Sequence, residues 1–474
     1  MVRTKGPIIR RKVANARTGF IQKHAKVIIA VQAALIAALV TVFGLPKFPA
    51  LIDLIDPANL GRGIISSHFY ELGLVDLAPS LNLPWVSGTS DGKVLAMSAD
   101  SGFEEDSNPR LGAFDPLHEI YLIDPNTPAH RKIAEVNFLD IVFGEGKWPE
   151  DTKHRSLDFI SSPLQSESQR EVFISFTSSS EQIGCRHLHV IRLQFSTLHS
   201  LGGKVIADEF FRSECFPKST LDDFRLHQSG GRIAIDAKKI SEGDTVSEIL
   251  LSIGDFVMLR ENSTSLTQNA RAQLTSVIRI DDSGWEVVAD GFRNPQGLAF
   301  ANLDGLGQVL LESEHGPRGG DELNLVRTGK KYYWPDYSYG TAYEPEDPNN
   351  KPVTEGASIS ADPPWYAWVP SIAPSQVLQV SGQEFSKWWT LDSKQGAIGD
   401  VLVSTLGDQS IIRLRVEAGH VRYSERIGIG ERIRSLSALP SGEILLGTDS
   451  GKALKLGAVS EWLSSEGSFK KVGP

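Results

Sequence analysis

Short runs of apolar side chains, alternating with polar ones or filling every position, recur along the chain from residue 94 to residue 456. They come in pairs joined by a turn: VLAMSAD with EIYLID, VFISFT with LHVIRLQF, ILLSIGD with SVIRID, VLLESE with ELNLV, VLVSTL with IIRLRV, and ILLGTD with KALKL. A period of two belongs to β-strands, and glycine turns such as SDGKVL and PSGEIL connect them. The first members begin at Val94, Val172, Ile249, Val309, Val401 and Ile444, so the repeat is regular in kind but not in length. Six such units, each needing neighbours to cover its two faces, predict an all-β fold of radially arranged sheets, a six-bladed β-propeller. A β-sandwich array would explain the turns, but not one set of polar motifs spread over all the later repeats.

The N-terminus breaks the pattern. Residues 1–26 carry eight Lys or Arg, no acid precedes Asp53, and the run VIIAVQAALIAALVTVFGL, Val27 to Leu45, carries no charge. As a helix rising about 1.5 Å per residue the run covers roughly 28 Å, close to the hydrocarbon thickness of a bilayer. Its length, and the prolines Pro46 and Pro49 that flank it, predict an uncleaved transmembrane helix rather than a signal peptide. Basic residues before the run place the N-terminus in the cytoplasm and the propeller outside the inner (plasma) membrane, in the periplasm or the extracellular space. The expected organisation is therefore a basic tail (1–26), an anchor (27–45), a linker (46–70), the propeller (71–460) and a C-terminal tail (461–474).

Charge then narrows the partners. Setting the eight N-terminal basic residues aside leaves 40 Lys and Arg against 58 Asp and Glu, a net charge of −18. A domain that acidic is a poor nucleic-acid binder, and small molecules, proteins or metal ions are the expected partners. Cys185 and Cys215 fall on the oxidising side of the membrane in this topology, where a disulfide and two separate thiols are both open.

Polar residues at the ends of propeller strands from different blades converge on the central channel. Four clusters stand there: His227 in LHQSGGRIAID, Arg293 and Asn294 in GFRNPQGLAF, the loop EHGPRGGDELN, and Arg432 with Arg434 in GERIRSLSALPSGEILLGTD. Arg432 and Arg434 are two residues apart and share one strand face. Each has an ordinary reading alone, a turn histidine or a surface arginine; their order is what carries information.

That order resembles the soluble pyrroloquinoline-quinone-dependent aldose (glucose/sorbosone) dehydrogenases. RNPQGLAF followed by EHGPRGGDELNL carries the resemblance, with YYWPDYSYG, PSIAPS and RIRSL…GTD after it in the family's order, and the match runs from about His227 to Leu456. The resemblance implies an ortho-quinone cofactor with three carboxylates, contacted by Arg293, Asn294, Arg432 and Arg434, since the arginine fork suits planar carboxylates. It implies a calcium ion on the backbone oxygens of Gly316 and Pro317. It also implies that His227 is the general base for oxidation of a sugar hemiacetal.

Two positions depart from the family pattern. Tyr333 stands where the family usually has glycine, and Gly407 and Asp408 stand where it carries a lysine after the fifth-blade strand; Lys330 or Lys331 is the candidate replacement cation. A propeller that keeps the scaffold as a non-catalytic binding module, and a calcium-dependent lactonase, therefore stay open beside the dehydrogenase. The long inserts from Thr341 to Trp368 and from Ser101 to Pro116 are the expected substrate loops.

Overall fold

The computed structural model describes residues 62–66, 71–99, 116–127, 129–163, 169–196, 205–217, 226–240, 245–258, 266–332, 334–341, 363–380 and 399–458. All belong to one compact unit, Gly61–Phe469; the second unit, Met1–Leu60 with Lys470–Pro474, lies outside the described residues, as does the expected anchor at 27–45. Among the described residues no helix is long and apolar enough to cross a membrane.

The first strands among the described residues are β1 (Arg62–Ser66) and β2 (Glu71–Asp76), which pair with each other. Four antiparallel strands then make the first complete blade: β3 (Trp85–Gly88), β4 (Val94–Met97), β5 (Leu117–Ile123) and β6 (His130–Asn137). The next contains β7 (Lys153–Ser161), β8 (Gln169–Ser180), β9 (Cys185–Ser196), β10 (Val205–Arg212) and a short β11 (Phe216–Pro217) on β9. It is followed by β12 (Gly230–Ala234), β13 (Ile249–Ile253), β14 (Ser276–Asp281) and β15 (Gly284–Asp290), then by β16 (Pro295–Leu303), β17 (Gly307–Glu314), β18 (Asp321–Val326) and β19 (Tyr366–Trp368). The fifth blade is β20 (Pro374–Val380), β21 (Asp400–Thr405), β22 (Ser410–Glu417) and β23 (His420–Gly428). The last is β24 (Ile433–Ala438), β25 (Ile444–Thr448) and β26 (Ala453–Ala458), completed by β2 and β1 from the other end of the chain. Closing one sheet with strands from both ends turns an open stack into a ring without exposed faces. β1 falls inside the stretch 46–70 expected as a linker.

The paired runs of the sequence are the second and third strands of each blade. Their middle positions are covered on both faces, which is why β4, β13, β21 and β25 are buried at every position and are built around short apolar runs. Alternate side chains serve opposite interfaces: Ile249, Leu251 and Ile253 pack against the preceding blade, Leu250 against the following one. Six hydrophobic clusters result, one between each pair of neighbouring blades. Innermost are β3, β7, β12, β16, β20 and β24, each touching the next and β24 touching β3.

Where the inner strands meet, Arg232 of β12 is 1% exposed and reaches all the others. It donates to Asp158 on β7 (3.0 Å), the Gln296 carbonyl on β16 (2.6 Å), Ser375 Oγ on β20 (2.8 Å) and the Arg434 carbonyl on β24 (2.7 Å), and its guanidinium lies 5.6 Å from the Trp85 ring centre on β3.

Cys185 and Cys215 form a disulfide, closing the question left by the sequence. Next to it, β9 buries His189 between Ser178, whose hydroxyl meets Nε2 at 2.8 Å, and Glu209, whose Oε1 meets Nδ1 at 2.8 Å. Complete burial lowers the His189 pKa from 6.5 to about 4, despite the opposing pull of Glu209. Between those values the unfolded chain takes up a proton that the folded chain refuses, so stability is full above about pH 6.5 and falls toward pH 4. The loss from this one group is at most about 3 kcal/mol. Chemical denaturation from pH 7 to pH 4 is expected to show a shallower stability loss for His189→Gln than for the wild type; parallel curves would remove His189 as the source.

Candidate active site

The turn before β16 is the keystone of the site. Arg293 is buried, with its backbone N–H and that of Asn294 both donating to the Glu314 carboxylate at the end of β17. The guanidinium donates through Nη1 to the carbonyls of His315 (3.0 Å) and Gly316 (2.7 Å) and packs 5.3 Å from the centre of the Trp334 ring. Trp334 is fixed in turn by its indole N–H, which donates to Asp255 at 2.9 Å. The Arg293 Nε atom is buried with no hydrogen-bond partner among the described residues.

The His227 turn joins the same assembly. Gln228, next in sequence and at φ 53°, accepts from the Phe256 N–H through its carbonyl. Its side-chain amide, correctly oriented, donates to Asp255 Oδ1 (2.8 Å) and accepts from Arg293 Nη2 (3.1 Å). Gly230 N–H donates to Asn294 Oδ1 at 3.3 Å. His227 itself is exposed, ahead of β12. The sequence signals at His227 and at Arg293 with Asn294 therefore mark adjoining turns of neighbouring blades.

The loop EHGPRGGDELN is held from below. Asp321, fully buried, accepts from Gly316 N–H (3.0 Å), Ser371 Oγ (2.6 Å) and the N–H groups of Ile372 and Ala373 (2.8 Å each). One carboxylate thus ties this loop to the PSIAPS segment of the next blade. Gly320, at φ 65°, leaves no room for a side chain, since a Cβ there would lie 2.1 Å from the Gly340 nitrogen. Pro317, like Gly316, is buried in this loop. His315 donates from Nε2 to the Pro374 carbonyl at 2.6 Å. Burial, helped by Arg293 and Arg434 and opposed by Asp321, lowers its pKa to about 4, so it stands neutral.

Behind the loop are three acids on β17 and β18. Burial raises the pKa of Glu312, Glu314 and Glu322, in Glu314 to about 7. Glu314 and Glu322 are directly opposed across the strand pair and line a small cavity with Arg293, Trp334, Tyr332 and Tyr337. Sequence reading passed over this cluster, because glutamates on strands look like surface residues until pairing register is known.

Arg432 and Arg434 come from the start of the last blade. Asp449, in the turn after β25, accepts from Arg432 Nε (2.9 Å), Arg434 Nε (2.8 Å) and Arg434 Nη2 (3.0 Å). It shows a lowered pKa: burial pushes upward, and the two arginines outweigh it. Arg432 Nη1 donates to the Leu406 carbonyl, which leaves Arg432 Nη2 and Arg434 Nη1 unengaged in these hydrogen bonds. Leu406 precedes Gly407, the position of the missing lysine. The neighbouring Asp408 is turned to Arg426 (2.6 Å) and Ser410, so its charge is already compensated. Lys331 pairs with Asp290 at 3.4 Å rather than with a group of the site. Tyr333 and most of the two expected substrate loops lie outside the described residues.

A cluster of arginines, one with an unpaired buried donor, suits a planar polyanion. The calcium expectation meets a different fact: the Gly316 carbonyl already accepts from the Arg293 guanidinium, so a cation on that oxygen would stand close to a positive charge. A larger cavity of about 330 Å³ lies around the later halves of the inner strands, lined by Ile160, Ile235, Phe300 and Leu378 among others, and includes none of these groups.

Comparison with known proteins gives the chain its relatives. The chain is 31% identical over 235 residues to an uncharacterized protein of Synechocystis sp., covering 46% of this chain and 52% of that one, so it spans about half of that relative's length. It is 27% identical over 263 residues to aldose sugar dehydrogenase YliI of Escherichia coli, covering 48% of this chain and 67% of that one. Among solved structures, the soluble aldose sugar dehydrogenase of Escherichia coli in its apo-form superposes with a TM-score of 0.56 at 20% identity, over 82% of this chain and 99% of that one. The PQQ-bound form of aldose sugar dehydrogenase from Streptomyces coelicolor gives 0.53 at 18%, over 81% and 98%. At those identities the likeness is one of fold, the propeller. The Glucose / Sorbosone dehydrogenase family model matches residues 157–456, well over half of the chain, and the protein belongs to that family.

Proposed function

We propose that the chain is a pyrroloquinoline-quinone-dependent dehydrogenase of an aldose or related hemiacetal, held at the membrane by the helix expected at residues 27–45. The observation that carries the reading is the convergence of Arg293, Asn294, Arg432 and Arg434 from two blades on one end of the ring, with guanidinium nitrogens that no hydrogen bond among the described residues engages. Membership of the family and the name of the Escherichia coli relative support the substrate class.

Pyrroloquinoline quinone, when bound, supplies a two-electron acceptor for the hydride of the sugar's anomeric carbon. Arg432 and Arg434, pre-aligned by Asp449, bind and orient the carboxylates of such a cofactor. Asn294 and the Arg293 Nε donor would help to hold the same group. His227, exposed on the adjoining turn, takes the proton of the anomeric hydroxyl on its imidazole. Calcium is given no step in this reading, because Arg293 holds the Gly316 carbonyl. A non-catalytic binding module is the second reading; the missing lysine at Gly407 favours it.

Reduction of a redox dye by the reconstituted full-length chain, scanned over aldoses, separates the two. His227→Ala is expected to lower turnover by at least ~10²-fold while calorimetry shows unchanged cofactor affinity. Wild-type turnover in that variant would take His227 out of the reaction. Gly407 is exposed, and a side chain there needs only a small shift of Ile372 and Ala373. Gly407→Lys is expected to tighten cofactor binding roughly fivefold by adding about 1 kcal/mol of screened attraction. Unchanged affinity would mean the lost lysine is not what limits binding.

A further inference from the structure

We propose that Arg232 is a positioning residue that sets the spacing between the two arms of the anion-binding end; this rests on the functional reading above. Its guanidinium touches none of the groups aimed at the ligand. It acts on the backbone and side chains that carry them.

On one side, Arg232 Nη2 donates to the carbonyl of Arg434 itself (2.7 Å) and to Ser375 Oγ (2.8 Å), which also donates to the Arg434 carbonyl (2.9 Å). The start of β24 is thereby pinned from the axis, directly behind the Arg434 side chain. On the other side, Nε donates to the Gln296 carbonyl (2.6 Å). The Gln296 amide donates to Asn294 Oδ1 (3.0 Å) and to the Gly230 carbonyl (3.4 Å). One planar group therefore holds the Arg434 arm and the Asn294 turn, residues 140 positions apart in sequence, at a fixed separation.

The charge is held as firmly as the geometry. Asp158 binds Nη1 (3.0 Å) through one oxygen and the Ile233 N–H (2.9 Å) through the other, so the acid orients the guanidinium instead of merely neutralising it. Arginine suits this place because its donors form a rigid fork; a lysine in the same position offers a point charge that cannot reach Gln296, Ser375 and Arg434 together. A ligand that must be gripped at both ends of a rigid plane is sensitive to a small error in arm separation.

The test titrates pyrroloquinoline quinone into the full-length wild type, Arg232→Lys and Arg413→Lys by calorimetry, with thermal melts of each. Arg413 is the control: it is 2% exposed and paired with Asp400 (2.6 Å) and Glu425 (3.1 Å) inside the fifth blade. Arg232→Lys is expected to weaken binding roughly tenfold, the size of a lost buried charge-assisted hydrogen bond. Arg413→Lys is expected to lower the melting temperature comparably but leave affinity within about twofold, as distant sites act independently. If Arg232→Lys does not fold, Arg232→Met combined with Asp158→Asn removes both charges at once and is read the same way. Wild-type affinity in the folded Arg232 variant overturns the inference, as does an equal loss in Arg413→Lys, which would make the effect one of stability alone. No binding by the wild type overturns the functional reading and the inference with it.

Discussion

Six strands that meet around an axis leave their inner edges without a seventh strand to pair with, and a buried unpaired edge is costly. Here a single guanidinium fills that place. Arg232 reaches every other inner strand, four through hydrogen bonds and one through the Trp85 ring. Burying this cation opposes its charge, which shows in its lowered pKa; Asp158 is the compensating partner. Six apolar interfaces close the ring from outside, and one ion pair ties it at the centre.

The same constraint explains why the functional groups sit where they do. Inner strands start at one end of the ring, so the turns that precede β12 and β16 present His227 and Arg293 with Asn294 near that end, and the start of β24 presents Arg432 and Arg434 there. Carboxylates decide how much positive charge is left there. Asp449 takes part of Arg432 and Arg434, and Asp408 is withdrawn by Arg426. Glu314 accepts two backbone N–H groups, and its burial favours the protonated form near neutral pH.

Much of this was legible in the sequence, for physical reasons that also mark what was not. The second and third strands of each blade are covered on both faces and so show as apolar runs. Outer strands such as β15 and β23 are largely exposed, and inner strands such as β12 carry glycines and an arginine, so neither stands out. Cation-bearing turns were recognisable because Arg, Asn and Pro cluster there in order. Arg232 stands inside LHQSGGRIAID, but nothing in that stretch marks it, since only the closed ring brings Asp158, Gln296, Ser375 and Arg434 to it. Asp321, Asp449 and Glu314 were hidden likewise: each acts on a partner from a loop or strand that spacing alone does not place.

The ring end formed by Arg293, Asn294, Arg432 and Arg434 is proposed to bind a planar polyanionic quinone. Calorimetric titration of pyrroloquinoline quinone into the full-length chain, at low and raised salt, tests it most directly. Saturable binding near one cofactor per chain that weakens as salt rises is expected. Heat that never saturates, or binding indifferent to salt, would contradict it.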